Sequence, residues 1–284
     1  MAYLADCNKK YKDVDYWNER YRTEETFDWF GDFAQFRHLL VQHVGTEEKI
    51  LMLALGFNYF AYIYILSLVN REIQWRMRQK IFILRFLIHW SKEKQLCCGN
   101  SALSLHMYLA GYKTITNVDY SSVCVENMAQ RHSDCVGMSW VCMDARRLAF
   151  PDSSFDVVIE KGTLDAMLVE ERDPWNISDG SAQVLHNVLK EISRVLKPGG
   201  RFVSVTFAQP HFRKKLYAHQ EYSWSINHYY YGDSFHYFFY VLTKGEELSP
   251  EDAALEVCYQ TEDQPTVVTY QEVENDDFLN KIGL

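Results

Sequence analysis

A chain of 284 residues with a net charge of −9 suits one large domain, or one domain with additions. Its 48% hydrophobic and 15% aromatic content can build a core, and the acidic balance argues against non-specific nucleic-acid binding while admitting a basic protein partner. The seven cysteines lack paired zinc spacing and Met1 to Asp15 carries no apolar signal core, so a reducing, cytoplasmic setting is expected rather than export.

Val14 to His43 reads as helical pieces around a turn at Phe30-Gly31-Asp32. Lys49 to Leu53 is a short buried-strand candidate. A helix from Ser101 to about Gly111 precedes a strand, Thr114 to Asp119. Ser121 or Ser122 can cap the next helix, whose predicted inner face includes Val125, Met128 and Ala129. Ser139 to Cys142 is a third strand ending near Asp144, and Phe155 to Ile159 is a fourth, announced by the turn Pro151-Asp152-Ser153. Val184, Leu185, Val188, Leu189, Ile192, Val195 and Leu196 fall on one helical stripe, which Lys197-Pro198-Gly199-Gly200 stops. A fifth strand, Arg201 to Thr206, follows at once. Two aromatic strands near Trp224 to Tyr229 and His236 to Leu242 read as an antiparallel hairpin, and residues 245–284 as an acidic tail with little periodicity. Alternating strands and helices imply an α/β fold, a mostly parallel sheet with helices on both faces.

Residues 54–97 interrupt that order. The 44-residue segment is net +5, which leaves −14 for the rest of the chain, and its first part, Ala54 to Asn70, has no charge. Seventeen apolar residues is the short limit for a membrane span, and Asn58 and Ser67 make a poor one, so no membrane association is expected. An inserted hairpin is a second reading. The favoured reading is translated non-coding sequence or a gene-model error, because removal rejoins Ile50-Leu51-Met52-Leu53 to Cys98-Gly99-Asn100-Ser101 as strand, turn and helix. The chain is then a single domain, 1–284, with an atypical insert. A variant joining Leu53 through one added glycine to Cys98 is expected to be more soluble and to melt at higher temperature than the full chain. Failure of that variant to fold while the full chain folds makes the segment structural.

Several residues carry chemistry at this level. In a dinucleotide-type βαβ unit a glycine turn follows a strand, and an acid about twenty residues later binds a ribose; Gly99 and Asp119 have that spacing. Asp119 has helix capping as its alternative. Asp144, after the third strand, can accept from an adenine amino group or belong to a turn. Glu160-Lys161-Gly162-Thr163-Leu164-Asp165 closes the fourth strand at the edge where such folds bind ligands. Asp165 can orient a substrate amine or cap the following helix. His211, His219, His228 and His236 are too widely spaced for a local zinc motif, and no metal is expected.

At Val14-Asp15-Tyr16-Trp17-Asn18-Glu19-Arg20-Tyr21, Phe27-Asp28-Trp29-Phe30-Gly31-Asp32-Phe33, Cys98 to Ser104, Val118-Asp119-Tyr120-Ser121-Ser122 and Glu160 to Ala166, the chain resembles the seven-strand S-adenosylmethionine-dependent methyltransferases. More narrowly it resembles those that methylate lysines of translation elongation factor 1-alpha. The resemblance continues through Pro210-His211-Phe212-Arg213 and the hairpin, and covers nearly the whole chain outside 54–97. It implies a Rossmann-like seven-strand sheet, S-adenosyl-L-methionine as cofactor and a protein substrate; a monomer is expected. Carried over residue by residue, the cofactor contacts fall on Trp17, Tyr21, Trp29, Asp119, Tyr120, Asp144, Ala145 and Lys161. Lys161 and Asp165, which flank Gly162 at the edge where cofactor and target amine should meet, are the expected catalytic positions. The first glycine of the family's strand-one turn has no clean counterpart, with Cys97 or Gly56 nearest. Trp17, Tyr21 and Trp29 can face a sulfonium cation or simply pack beneath an N-terminal lid. Two rivals remain: a family member without activity that binds partners, and a nicotinamide oxidoreductase, which needs a complete G-x-G-x-x-G turn that this chain lacks.

Overall fold

The computed structural model describes residues 14–23, 28, 30–53, 101–169, 171, 173, 176–233 and 235–261. The insert at 54–97 and the expected site residues Trp29 and Gly99 lie outside them, as does the side chain of Trp17. The elements in order are α1 (Val14–Thr23), α2 (Phe33–His43), β1 (Ile50–Leu53), α3 (Leu103–Leu109), β2 (Ile115–Asp119), α4 (Ser122–Arg131), β3 (Met138–Cys142), β4 (Phe155–Lys161), α5 (Thr163–Met167), α6 (Asp179–Val195), β5 (Leu196–Thr206), α7 (Pro210–Tyr217), β6 (Trp224–Tyr231), β7 (Tyr237–Lys244) and α8 (Pro250–Thr261).

The strands form one seven-stranded sheet in the order β3-β2-β1-β4-β5-β7-β6. β1 to β5 run parallel, while β7 pairs antiparallel with β5 and β6 antiparallel with β7. Strand alternation sorts the core onto two faces. Ile50, Met52, Val157, Ile159, Val203 and Val205 pack with Phe36 and Leu40 of α2 and Leu103 and Met107 of α3. Leu51, Leu53, Val158 and Phe202 face the other way, against the Leu185-Val188-Leu189-Ile192-Val195 stripe of α6. Both faces are covered, as a largely parallel sheet requires.

Several details differ from expectation; β5, for one, begins at Leu196 and takes in the Lys197-Pro198-Gly199-Gly200 turn ahead of Arg201. β4 runs on through Lys161, because Glu160 and Lys161 pair with Ser204 and Val205 of β5. Both are therefore strand residues rather than turn residues. The inner face of α4 is Cys124 and Met128, one turn apart, while Ala129 is exposed. α3 begins at Leu103, two residues later than expected, with Ser101 Oγ accepting from Leu103 N at 3.1 Å. The stretch expected to be an irregular tail opens with α8, whose start is marked by Ser249: its carbonyl accepts from Ala253 N at 2.8 Å and its hydroxyl from Asp252 N at 3.1 Å. Pro250 at the first helical position and Asp252 three residues after Ser249 are a readable capping signal that apolar periodicity does not reveal.

Candidate active site

The strand order reverses direction between β1 and β4, and in open α/β sheets the ligand crevice lies outside the carboxyl ends of the strands at that switch point. Leu53, the last residue of β1, stands level with Val118 of β2 and Glu160 of β4. Asp119 and Lys161 are thus each one residue beyond it, on opposite sides. Two strand spacings separate their main chains, roughly 10 Å. The topology brings together two residues that lie far apart in sequence.

Asp119 is 1% exposed. Its Oδ1 accepts from Ser121 N at 2.8 Å, while Oδ2 has no partner among the described residues. The cap of α4 belongs to Ser121, whose hydroxyl accepts from Cys124 N at 3.1 Å, so the end of that helix does not use Asp119 Oδ2. Burial raises the Asp119 carboxyl to about 7, against smaller opposing effects of the Ser121 main chain, the Cys124 side chain and the Tyr120 main chain. A buried acid with one open oxygen at the switch-point edge fits a ribose diol, whose hydroxyls donate to a carboxylate.

The N-terminal segment is tied to both sides of this cleft. On the β2 side α1 packs on α4: Ser121 Oγ donates to Asn18 Oδ1 at 2.6 Å and Asn127 Nδ2 to the Tyr21 carbonyl at 2.9 Å. The Tyr21 ring is buried with Cys124 and Met128, and Tyr120 packs against that group. On the β4 side, Lys161 Nζ meets Asp28 Oδ1 at 3.1 Å. Phe30 takes a left-handed backbone, φ +56°, rare for a bulky residue, and its carbonyl accepts from Tyr231 OH at 2.5 Å. Gly162, at φ +79°, has no Cβ for a reason: one there would stand 2.9 Å from the Phe30 ring.

Beneath the β4 edge lies a buried polar network. Glu160 Oε2 accepts from Thr163 N at 2.8 Å and Leu164 N at 3.3 Å, and its Oε1 accepts from Ser204 Oγ. Asp165 sits inside α5, where its Oδ1 accepts from Thr206 Oγ1 at 2.7 Å and pairs with Arg213 of α7. Tyr217 OH donates to Ser204 Oγ at 2.7 Å. Burial, then the neighbouring Asp165 charge, raises Glu160 to about 7. Burial also raises Asp165, opposed by Arg213. For Arg213 burial works against the charge, yet Asp165, Tyr217 and Glu160 outweigh it and hold the guanidinium protonated.

Three further expected positions have other surroundings. Asp144 is held by Arg146, with Nε at 3.0 and 2.9 Å from its two oxygens and Nη2 at 2.6 Å, so an adenine amino group would compete with a guanidinium. Those hydrogen bonds, with Arg146 also donating through its main chain, lower the Asp144 carboxyl. The Ala145 side chain is buried in the core with Val118 and Leu148 and points no functional group at the cleft. Asp165 is closed into its ion pair rather than presented at the surface, a placement that suits positioning better than direct contact with an amine. Asp28 and Arg213 escaped the sequence reading as site residues. Both lie within the quoted motifs, but which partners they meet depends on elements over forty residues away.

Asp119 is compatible with a ribose-bearing cofactor, and the comparisons give the family. A methyltransferase-domain family model matches residues 95–204. EEF1A lysine methyltransferase 4 of Mus musculus is 38% identical over 99% of this chain and 95% of its own length. Its Bos taurus counterpart is 37% identical with the same coverage. The eEF1A lysine and N-terminal methyltransferase of Bos taurus is 30% identical over 77% of this chain and 25% of its own length. A solved SAM-dependent methyltransferase from Methanosarcina mazei is 16% identical at a TM-score of 0.43, covering 74% of this chain and 98% of that one, and adds no weight to the assignment. End-to-end similarity at this level makes the chain an S-adenosylmethionine-dependent methyltransferase that belongs to the EEF1A lysine methyltransferase family.

Proposed function

We propose that the protein methylates a lysine of translation elongation factor 1-alpha, acting as a cytoplasmic monomer. The observation that carries this reading is the similarity to EEF1A lysine methyltransferase 4 along 99% of the chain, over a cleft whose buried Asp119 has an open oxygen. The acidic body, −14 outside the insert, favours encounter with a basic protein surface over nucleic acid.

Bound S-adenosylmethionine supplies an electrophilic methyl group for in-line displacement by an amine, with no redox change and no metal requirement. The chain's own residues do the positioning. Asp119 would hold the cofactor's ribose through the carboxylate oxygen left open in the fold. Glu160 braces the first turn of α5 through Thr163 N and Leu164 N, and Asp165 with Arg213 locks α5 to α7, fixing the rim of the cleft. The rings of Phe30, Phe207 and Tyr237 cluster at 5.6 and 5.7 Å beside Gly162 and desolvate that rim, which favours the neutral form of an incoming amine. Methyl transfer from labelled cofactor to purified elongation factor 1-alpha, with mass spectrometry locating the modified lysine, tests the proposal. Label on a nucleic acid or small molecule instead, with no modified lysine, removes the protein from this function. Elution as a dimer removes the monomer.

Cofactor affinity should also report the state of Asp119. Its raised value means that the free folded protein takes up a proton between the ordinary carboxylate range and about 7, so Asp119 withdraws stability as pH rises through that window. Donation by a ribose hydroxyl favours the ionised form, so affinity is expected to rise by up to about tenfold per pH unit below 7 and to level off above it. Titration calorimetry at pH 6 and 8 checks this. Because Glu160 titrates in the same range, Asp119→Asn is the control, and a pH dependence that survives it assigns the proton to another group.

A further inference from the structure

Lys161 leaves the end of β4 with a side chain only 6% exposed, and its ammonium donates to Asp28 Oδ1 at 3.1 Å and to the Gly31 carbonyl at 3.4 Å. The same Asp28 oxygen accepts from Ser101 Oγ, whose residue stands just ahead of α3. One carboxylate oxygen therefore joins the N-terminal segment, the approach to α3 and the carboxyl end of β4. The backbone beside it is pinned independently by Tyr231 OH on the Phe30 carbonyl and by the Phe30 ring against Gly162.

A cation at this place poses an electrostatic problem. The methyl donor is a sulfonium, and a positive charge is disfavoured near a desolvated, uncompensated ammonium. The main chain of Lys161 stands roughly 10 Å from that of Asp119 across the switch-point cleft, one residue beyond the level of the end of β1. We propose that Asp28 is a positioning residue acting through Lys161: it cancels the Lys161 charge at the cleft, so that a sulfonium is accepted there, while fastening the N-terminal segment across the edge. This rests on S-adenosylmethionine occupying the cleft.

The test compares S-adenosylmethionine with S-adenosylhomocysteine, which lacks only the methyl group and its positive charge. Both are titrated calorimetrically into the full chain and its variants, with thermal unfolding confirming that each variant is folded. Asp28→Asn keeps the shape and removes the charge. It should lower the ratio of S-adenosylmethionine to S-adenosylhomocysteine affinity by about tenfold, the scale of one unit charge across roughly 10 Å at a protein-like dielectric. Lys161→Met should move the ratio the opposite way, and the double variant should return it near the starting value. That sign reversal is something a purely structural clamp does not produce. Loss of affinity for both ligands by the same factor in Asp28→Asn, or an unchanged ratio in Lys161→Met, overturns the inference while leaving the cofactor site intact. A wild-type chain that binds neither ligand overturns the cofactor site and the inference with it. If Asp28→Asn does not fold, the Lys161→Met arm decides.

Discussion

Asp165→Ala is expected to cost about 3–5 kcal/mol of folding stability, the range for breaking one side of a buried ion pair. Arg213 is 1% exposed, and its pairing with Asp165 Oδ1 is reinforced by Thr206 Oγ1, which also accepts from Arg213 Nη2 at 3.1 Å. Without Asp165 the guanidinium stays buried, with Nε and Nη1 already lacking partners among the described residues. Glu160 nearby offsets part of the charge, which places the expectation at the lower end of the range. Urea unfolding with an unchanged slope and a lowered midpoint is the measurement. An Asp165→Leu, Arg213→Met pair should recover most of the loss, since replacing both buried charges by apolar groups removes the desolvation penalty as well as the attraction. The same variants separate structure from catalysis. If Asp165 also organises the site, turnover on elongation factor 1-alpha falls far more than cofactor affinity, even with the protein fully folded. If turnover per folded molecule is unchanged, Asp165 is a structural brace alone.

Asp119→Ala should weaken S-adenosylmethionine binding by about 1.5–3 kcal/mol, the scale for losing a hydrogen bond to a charged group. The free protein should respond differently. Its Asp119 is fully buried, shifted upward by desolvation and left with an unpartnered oxygen, so its removal takes away an unfavourable group. The melting temperature of the free variant is therefore expected to hold or rise at pH 8, where the carboxyl is charged. A variant that binds cofactor as tightly as the parent returns Asp119 to a local role, its hydrogen bond with Ser121 N. One that loses both affinity and several kcal/mol of stability assigns it to the scaffold. Loss of affinity with stability retained is the pattern of a residue kept for its ligand at the expense of the fold.

Much of the architecture was open to inspection in the amino-acid order. The stripe of α6, the Lys197-Pro198-Gly199-Gly200 stop, the short apolar strands and the aromatic hairpin are local patterns, set by periodicity and by residues with restricted or extended backbone freedom. Asp119 was found from its spacing, because a strand end followed by a cap serine is itself a local signal. The hairpin strands each run two residues further than expected at their carboxyl ends, since cross-strand pairing, and not side-chain pattern, decides where a ladder stops.

The sequence by itself determined the alternation of elements, the two-faced sheet and the acid at the end of β2, all of which follow from short-range periodicity and turn chemistry. It also showed that residues 54–97 differ in composition from the rest, net +5 against −14. Only the tertiary structure decided what the charged residues do. Lys161 and Asp28 are 133 positions apart, and Asp165 and Arg213 are 48 apart, so no local rule couples them. Their meaning depends on burial: in water each is an ordinary solvated charge, whereas at the β4 edge each becomes half of a pair whose partner it cannot lose cheaply. Asp144 and Ala145 gain their surroundings the same way, the one pairing with Arg146 and the other packing its methyl with Val118 and Leu148. Strand order placed the cleft, and burial beside it decided which charged residues pair.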